Sequence, residues 1–289
     1  MHPGKQITPS RPSSRILSLM GWTRHSYYLM SGFLLTLFLL GYIWWPLAKD
    51  YLSYIDWKGA WWLYMDWLLL GLFFIMSLLI MAGADLRVDA RIVFVGFIGG
   101  LVIESWGTQT NIWHYFTAER PPLWIIPAWP IASLSIDRLV RFMQNLTPHW
   151  NDKVFKTAYW LIFPAFYALM LAFVAPTADK SLTLTALFLV AFLILTPTNH
   201  RLAVLTFIAG SGLGYFLERW GTTRECWTYY TYQTPPLFAV LAHGMAAVAF
   251  WRTALLIELV LGKLRLRWKG HSAKAITAID KYNNQRVDD

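Results

Sequence analysis

Long apolar runs, separated by Pro, Gly or charged residues, dominate this chain. Residues 31–45 and 67–82, for example, contain very few polar side chains. A bilayer core about 30 Å thick requires about 20 mostly apolar residues per helix. The pattern therefore predicts an all-α fold, a polytopic bundle of about eight transmembrane helices at 28–48, 60–83, 92–106, 122–144, 154–176, 182–197, 202–220 and 236–262.

One segment of the chain occurs twice. Residues 104–123, ESWGTQTNIWHYFTAERPPL, reappear without a gap at 218–237 as ERWGTTRECWTYYTYQTPPL, an offset of 114 residues. Half of the aligned positions are identical, and flanking residues such as Gly100 and Gly214 keep the same offset. This duplication predicts two four-helix repeats. The domains expected are 1–27 (basic tail), 28–144 (first repeat), 145–262 (second repeat) and 263–289 (basic tail).

An even number of helices per repeat makes the two repeats parallel. We therefore expect a pseudo-two-fold axis along the membrane normal, as in transporters built from parallel repeats. Both copies of the duplicated loop would then lie at the same membrane face. The architecture predicts one shared cavity there, with Glu104 and Glu218 on opposite sides.

The composition favours a membrane protein over other classes. The chain is 56% hydrophobic and 14% charged, whereas a soluble domain is about a quarter charged. Most of the 25 Lys and Arg residues lie in the tails and in the loops on the same side as the tails. This bias predicts an inner-membrane protein with cytoplasmic termini. It also explains the net charge of +9 without a nucleic-acid partner.

The duplicated glutamates are the leading candidates for chemistry. Glu104 and Glu218 each end an apolar run, and a carboxylate at bilayer depth costs a few kcal/mol unless it is protonated, paired or hydrated. One hypothesis is a protonated carboxylic acid that delivers a proton in a water-poor cavity. The alternative is that each glutamate braces its own loop by accepting from the N–H of Thr108 or Thr222, or by pairing with Arg219 or Arg224.

Other polar residues fall within the predicted spans. His243, in an apolar helix, is a proton-relay candidate, and Asp66 is a third intramembrane acid on the outer half. We expect the charges of Asp137, Arg138 and Arg252 to compensate one another or lipid phosphate. Among His114, His243, Glu104 and Glu218 no pair has the i, i+3 or i, i+4 spacing of a helical metal site, and the single cysteine excludes a disulfide or Cys-rich site. We therefore expect no metal and no cofactor.

Aromatic residues accompany both acids. Their rings either mark the bilayer interface or line a pocket and stabilise a developing cation through the ring quadrupole. The substrate-binding candidates are Trp106, Trp113, Tyr115, Trp129, Trp220, Trp227, Tyr229 and Asn111. Gly107 and Gly221 are expected to end their helices in a turn with positive φ, and the Pro pairs 121–122 and 235–236 to start the next helices.

The duplicated motif resembles a stretch of known membrane enzymes. An acid at a helix end, Gly-Thr, W-x-Y, a Thr and Pro-Leu resemble the acid–glycine–aromatic–Tyr–Thr–Pro stretch of carotenoid-biosynthesis proteins related to carotenoid 1,2-hydratase. The motif is also similar to the acidic motifs of duplicated small lycopene cyclases. The match covers 104–127 and its copy 218–241, and the positions carried over from it are Gly100, Glu104, Gly107, Trp113, Tyr115, Thr117 and Pro122.

This resemblance implies a cofactor-independent enzyme of the membrane. The implied reaction is proton-initiated hydration, cyclisation or isomerisation of a C=C bond in a lipophilic isoprenoid. The expected partners are this substrate and the lipids of the surrounding membrane. Two other classes stay open. One is a transporter that uses Glu104 and Glu218 as proton-coupling or substrate-binding acids. The other is a scaffold whose Trp-rich outer face binds a membrane-protein partner.

Overall fold

The computed structural model describes residues 21–285, with side chains described for 21–264 apart from Leu47. The predicted N-terminal tail, 1–27, therefore lies mostly outside the described residues. Within the described part the chain is mainly helical, which confirms the all-α class. The α-helices are α1 (Arg24–Ile43), α2 (Trp45–Ser53), α3 (Trp67–Met81), α4 (Leu86–Gln109), α5 (Ala128–Leu146), α6 (Asp152–Val174), α7 (Ser181–Leu195), α8 (His200–Thr223) and α9 (Leu237–Gln285).

Shorter elements connect these helices. Two 3-10 turns, Trp61–Tyr64 and Ala175–Thr177, precede α3 and α7. Two three-residue strands, β1 (Trp113–Tyr115) and β2 (Trp227–Tyr229), follow α4 and α8. Each of the eight predicted segments contains a helix, and α2 is an additional short helix that the hydropathy pattern did not predict.

Several helices have the length and composition of membrane spans. In the described residues, Arg24–Ile43, Leu123–Leu146, Asp152–Thr177 and Leu237–Leu264 are long and apolar enough to cross a bilayer. Trp67–Met81 and Ser181–Leu195 are shorter apolar helices. The chain is thus compatible with a membrane protein.

Two pairs of helices follow the 114-residue offset of the sequence. Helices α3 and α7 begin 114 residues apart and both contain 15 residues. Helices α4 and α8 begin at the same offset and both contain 24 residues. The connections before them differ, because α2 and a 3-10 turn lie between α1 and α3, whereas one 3-10 turn links α6 to α7.

The two short strands pair with each other. They are antiparallel, with Trp113 opposite Tyr229, His114 opposite Thr228 and Tyr115 opposite Trp227. Each strand therefore places its Trp against the Tyr of the other copy. The flanking hydrogen bonds are equivalent too, since the N–H of Phe116 donates to Cys226 O at 3.2 Å and the N–H of Tyr230 to Ile112 O at 3.0 Å.

Small residues bring the central helices close together. Helix α5 packs on α3, α4 and α8, and α8 also packs on α6. A Cβ at Gly96 would lie 3.0 Å from the Cα of Pro130, and a Cβ at Gly210 would lie 2.9 Å from the Cα of Gly244. Close backbone approach at small residues is typical of membrane helices.

A buried ion pair joins α4 to α5. The Nη2 of Arg138 donates to both carboxylate oxygens of Asp89 at 2.8 Å, and Asp89 is fully buried. Arg138 also donates to Asp137 at 2.5 Å. The sequence predicted the Asp137–Arg138 contact but missed Asp89, the buried partner on the neighbouring helix.

The backbone contacts divide the chain into two units. Met1–Phe250 contains α1 to α8, both strands and the first turns of α9. Trp251–Asp289 contains the rest of α9, which is helical as far as Gln285. The side chains of the predicted C-terminal tail from residue 265 onward lie outside the described residues.

Candidate functional site

The duplicated loops begin with a helix end that the sequence placed three residues too early in both copies. Gly107 lies inside α4, and the residue with positive φ is Asn111, at 60°. The N–H of Ile112 donates to Gly107 O at 2.9 Å and the N–H of Asn111 to Thr108 O at 3.4 Å. These two bonds form a Schellman motif. The copy is the same, with Glu225 at a φ of 55° after α8.

The glycines of the motif serve a different purpose from the one predicted. A Cβ at Gly107 would lie 1.9 Å from the indole ring of Trp113, and a Cβ at Gly221 would lie 2.0 Å from that of Trp227. Only a residue without a side chain lets the indole lie on the helix surface. The expectation of positive φ at these glycines was wrong, because close approach of the ring is what requires Gly.

Strand pairing places the aromatic side chains. Successive residues of a strand point to opposite faces, so Trp113 and Tyr115 are buried while His114 between them is exposed. The rings of the two copies contact each other, with centroids 5.8 Å apart for Trp113 and Tyr229 and 5.8 Å apart for Tyr115 and Trp227. The duplicated loops thus form one aromatic cluster.

Glu104 lies at the centre of three donors. Its Oε2 accepts from the indole N–H of Trp113 at 3.0 Å and from the hydroxyl of Tyr115 at 2.9 Å. Its Oε1 accepts from the indole N–H of Trp129 at 3.1 Å. The glutamate is 3% exposed, so these bonds replace water as partners of its carboxyl group.

Glu218 has an equivalent set of partners. Trp227 donates to its Oε2 at 2.9 Å, and the Tyr229 hydroxyl donates to its Oε1 at 2.8 Å. The third partner is His243, whose Nε2 lies 2.9 Å from Oε1. His243 is the counterpart of Trp129 at the repeat offset, and the two rings stack with centroids 5.5 Å apart and an interplanar angle of 18°.

The loop-brace alternative named the wrong partners. The hydroxyls of Thr108 and Thr222 donate to the backbone carbonyls of the two glutamates, both at 2.6 Å, and not to the carboxyl groups. Arg219 donates to Thr234 O at 3.0 Å, and Arg224 pairs with Asp66. The donors that hold the carboxyl groups lie nine or more residues along the chain from each glutamate, on the strand and on the next helix.

Both glutamates line one cavity of about 240 Å³. Ile103, Leu217 and the aromatic partners of the carboxyl groups form part of its wall. In the described part of the chain, no Lys or Arg side chain lines this cavity. Its only charged or titratable lining groups there are the two glutamates, His243 and the two tyrosines.

One wall of the cavity has no counterpart in the duplicated motif. Phe33 of α1 and Phe73 of α3 stack at 5.4 Å between centroids. Both line the cavity, with Leu69, Leu72 and Met76. Sequence reasoning missed these residues because apolar side chains in an apolar helix carry no signal that separates a cavity wall from a lipid-facing surface.

Asp66 is placed outside this cavity. It caps α3, where its side chain accepts from the N–H of Leu69 at 3.1 Å. Arg224 donates to it at 2.9 Å and Trp220 at 2.8 Å. Partial burial acts to raise the pKa of Asp66, but the hydrogen bonds from Arg224, Leu69 and Trp220 outweigh it and hold the pKa below its usual value. Asp66 thus ties α3 to the end of α8.

The remaining predicted residues divide between the cavity and other positions. Trp113, Tyr115, Trp129, Trp220, Trp227, Tyr229 and His243 line the cavity with the two glutamates. Trp106 instead donates to the hydroxyl of Thr183 on α7 at 3.2 Å. Asn111 is exposed in its Schellman turn. Among the described residues, no group of three His, Cys, Asp or Glu side chains is arranged to hold a metal ion.

Comparison with known proteins finds no matching family model, no matching curated protein and no matching solved structure. The geometry of the cavity is therefore the main basis for a functional conclusion.

Proposed function

We propose that this chain is an inner-membrane enzyme that acts on a lipophilic isoprenoid or carotenoid-like substrate by proton-initiated hydration, cyclisation or isomerisation. The observation that carries the proposal is the cavity, in which two buried carboxyl groups, each held by three hydrogen-bond partners, face aromatic and aliphatic side chains. Such a cavity suits a hydrocarbon that receives a proton.

The proposed topology has α1 and α3 to α9 crossing the bilayer, with both termini in the cytoplasm. The pairing of β1 with β2 supports a pseudo-two-fold axis through His114 and Thr228, because the ladder maps onto itself at the repeat offset. The distribution of Lys and Arg supports the orientation. In this arrangement the two four-helix repeats share the cavity at the outer face.

The chemistry follows from what surrounds each acid. Exclusion of water keeps the proton of a buried carboxylic acid from being lost to solvent and protects the carbocation from premature capture. The indole and phenol donors then hold the carboxylate that is left. Ring faces stabilise the carbocation, an effect of about 2 kcal/mol per ring when water is excluded.

The cavity also indicates how such a substrate is held. A space of about 240 Å³ encloses one end of a long polyene and not its full length. We propose that the rest of the substrate lies along the apolar wall formed by α1 and α3, where Phe33 and Phe73 stack. A substrate dissolved in the bilayer reaches this wall without crossing water.

The test is product formation in membranes that contain an acyclic polyene. Cells that accumulate lycopene are given the wild-type gene, the Glu104→Gln, Glu218→Gln double variant, or the control Glu119→Gln, and lipid extracts are separated by chromatography. Glu119 is an exposed acid of the same loop that does not line the cavity. We expect a new product with the wild type and the control but not with the double variant.

A wild-type extract without any new product, repeated with shorter isoprenoids, would contradict the proposal. So would a double variant that forms product at the wild-type rate. The amount of each variant in the membrane is measured by immunoblot, so that lost product is not confused with lost protein.

A scaffold function is the second candidate, favoured by one specific observation. The segment between α1 and α3 exposes many aromatic side chains, a surface suited either to the headgroup region or to a membrane-protein partner. These residues include Trp45, Trp57, Trp61, Trp62 and Tyr64. The same experiment separates the two functions, because a scaffold forms no product by itself and does not depend on the two cavity acids.

A further inference from the structure

The two glutamate sites differ in one partner. Glu104 accepts from the indole of Trp129, whereas Glu218 contacts the imidazole of His243. Both rings lie against a glycine of the facing helix. A Cβ at Gly100 would lie 2.4 Å from Trp129, and a Cβ at Gly214 would lie 2.5 Å from His243. The two rings thus have equivalent places, and the difference between the sites is chemical.

An indole and an imidazole differ in what they do with a proton. The indole N–H only donates a hydrogen bond, while an imidazole nitrogen is donor or acceptor according to its protonation state. Imidazole also gains and loses its proton near neutral pH. Across the 2.9 Å between Nε2 and Oε1, Glu218 and His243 can share one proton.

Glu104 has no such partner. Trp113, Tyr115 and Trp129 supply two indoles and a phenol, and these groups give up a proton only far above neutral pH. All three partners of Glu104 only donate hydrogen bonds to it. The first site therefore has no group that exchanges a proton with its acid, whereas the second site has one in His243.

We propose that Glu218 and His243 form the proton-transferring pair of the cavity, and that Glu104 does not transfer the proton but holds Trp113, Tyr115 and Trp129 in place at the cavity wall. This inference rests on the proposed function, which it deepens by assigning different roles to the two copies. The stacked rings of Trp129 and His243 separate the two carboxyl groups.

The proton balance of this step closes within the pair. The proton shared by Glu218 and His243 moves to one alkene carbon, a C–H bond forms, and the π bond breaks to leave a carbocation. In a cyclisation, a second C=C bond attacks the carbocation, a ring closes and the positive charge moves to another carbon. In an isomerisation, the charge stays where it formed. Loss of a proton from an adjacent carbon to the pair restores a C=C bond. The pair then again holds one proton, and no other reactant is consumed.

The central experiment is His243→Trp, which copies the first site into the second. The variant retains an N–H donor and a stacking ring but has no group that takes a proton. In lycopene-accumulating membranes we expect product formation to fall about 10²–10⁴-fold, the usual contribution of a general acid or base. A His243→Trp protein that keeps wild-type activity would overturn the assignment, because His243 would then be a structural donor.

A second variant keeps the test decisive if the larger ring prevents folding. His243→Ala leaves a space at the ring position, and added imidazole should restore product in a concentration-dependent way. Folded His243→Ala protein that imidazole does not rescue would also overturn the assignment. The control is His114→Ala, since His114 is exposed on β1 and does not line the cavity. Its activity should not change with imidazole.

The two glutamate variants complete the design. Glu218→Gln should abolish product, whereas Glu104→Gln should lower it by only about tenfold, because the amide group has one accepting oxygen fewer for the three donors that Glu104 holds. Equal losses in both would contradict the division of roles. Failure of the proposed function is distinguishable, since the wild type itself would then form no product. Folding of every variant is checked by size-exclusion chromatography and thermal unfolding in detergent.

Discussion

The contact between Gly221 and Trp227 allows a sharp test of the site's construction. Gly221→Ala introduces a Cβ 2.0 Å from Cη2 of the indole and 2.1 Å from its Cζ2. Ordinary contacts begin at 3.4 Å, so the ring must withdraw by about 1.4 Å, the difference between these two distances. That movement breaks the 2.9 Å hydrogen bond from Trp227 to Glu218.

The expected loss of stability follows from these two effects. Overpacking a tight contact costs about 1–3 kcal/mol, and a lost hydrogen bond to a charged or buried acceptor costs about 1.5–3 kcal/mol. Replacing Gly by Ala inside a helix returns about 1 kcal/mol. We therefore expect Gly221→Ala to lower the free energy of unfolding by about 3 kcal/mol.

Helix α8 contains its own matched control. Gly212 lies in the same helix, and a Cβ there would meet nothing within 4 Å. Gly212→Ala should therefore leave stability unchanged or raise it by up to about 1 kcal/mol. The two variants are compared by thermal unfolding of purified protein in detergent, with tryptophan fluorescence as the signal. Equal stability of Gly221→Ala and Gly212→Ala would refute the close approach of the indole.

Three further predictions concern other parts of the molecule. Arg138→Met leaves Asp89 buried without its partner, so the free energy of unfolding should fall by about 3–5 kcal/mol. Adding Asp89→Leu should recover most of this loss in thermal unfolding, and a double variant as unstable as Arg138→Met would argue against the ion pair. The pKa of Asp66 is held low, so its charged form stabilises the fold at neutral pH, and this contribution is lost as the pH falls through the folded-state pKa. The stability difference between wild type and Asp66→Asn should therefore shrink from pH 7 to pH 3, and a constant difference would contradict the ion pair with Arg224. Met76→Trp fills the cavity from α3, so product formation in lycopene-accumulating membranes should fall at least tenfold while Tm changes little; an active variant would show that substrate does not occupy this space.

The fold class was predictable because its cause is local. Apolar runs longer than a soluble helix needs, such as the one that contains Trp67–Met81, identify helices by composition alone. The amphipathic segment Trp45–Ser53 was merged with its neighbour, because short interfacial helices have no distinctive hydropathy. Helix ends were less accurate, and the Schellman turn at Asn111 required backbone geometry to place.

The site was partly predictable from the duplication. Identical Glu, Trp and Tyr residues at one offset indicated that the two loops share a purpose, and this reasoning named the titratable residues and all of the Trp and Tyr residues that line the cavity, but none of its aliphatic or Phe residues. It assigned the wrong partners to the carboxyl groups, because Trp113 and Tyr115 reach Glu104 from nine and eleven residues along the chain, across a turn that the order of residues does not place. It also included Asp66 and Trp106, which serve contacts between helices.

The amino-acid sequence by itself determined the helices, the duplicated motif and the residue types that surround each acid, since these depend on composition and order along the chain. Tertiary structure alone decided which residues meet. The antiparallel pairing of β1 with β2 brings the two copies of the duplicated loop together. The packing of α5 on α4 places the indole of Trp129 within hydrogen-bond distance of Glu104. The asymmetry between Trp129 and His243 was visible as a substitution. The sequence does not show that the two rings contact equivalent carboxyl groups, because hydrogen bonds depend on distances that the order of residues does not specify.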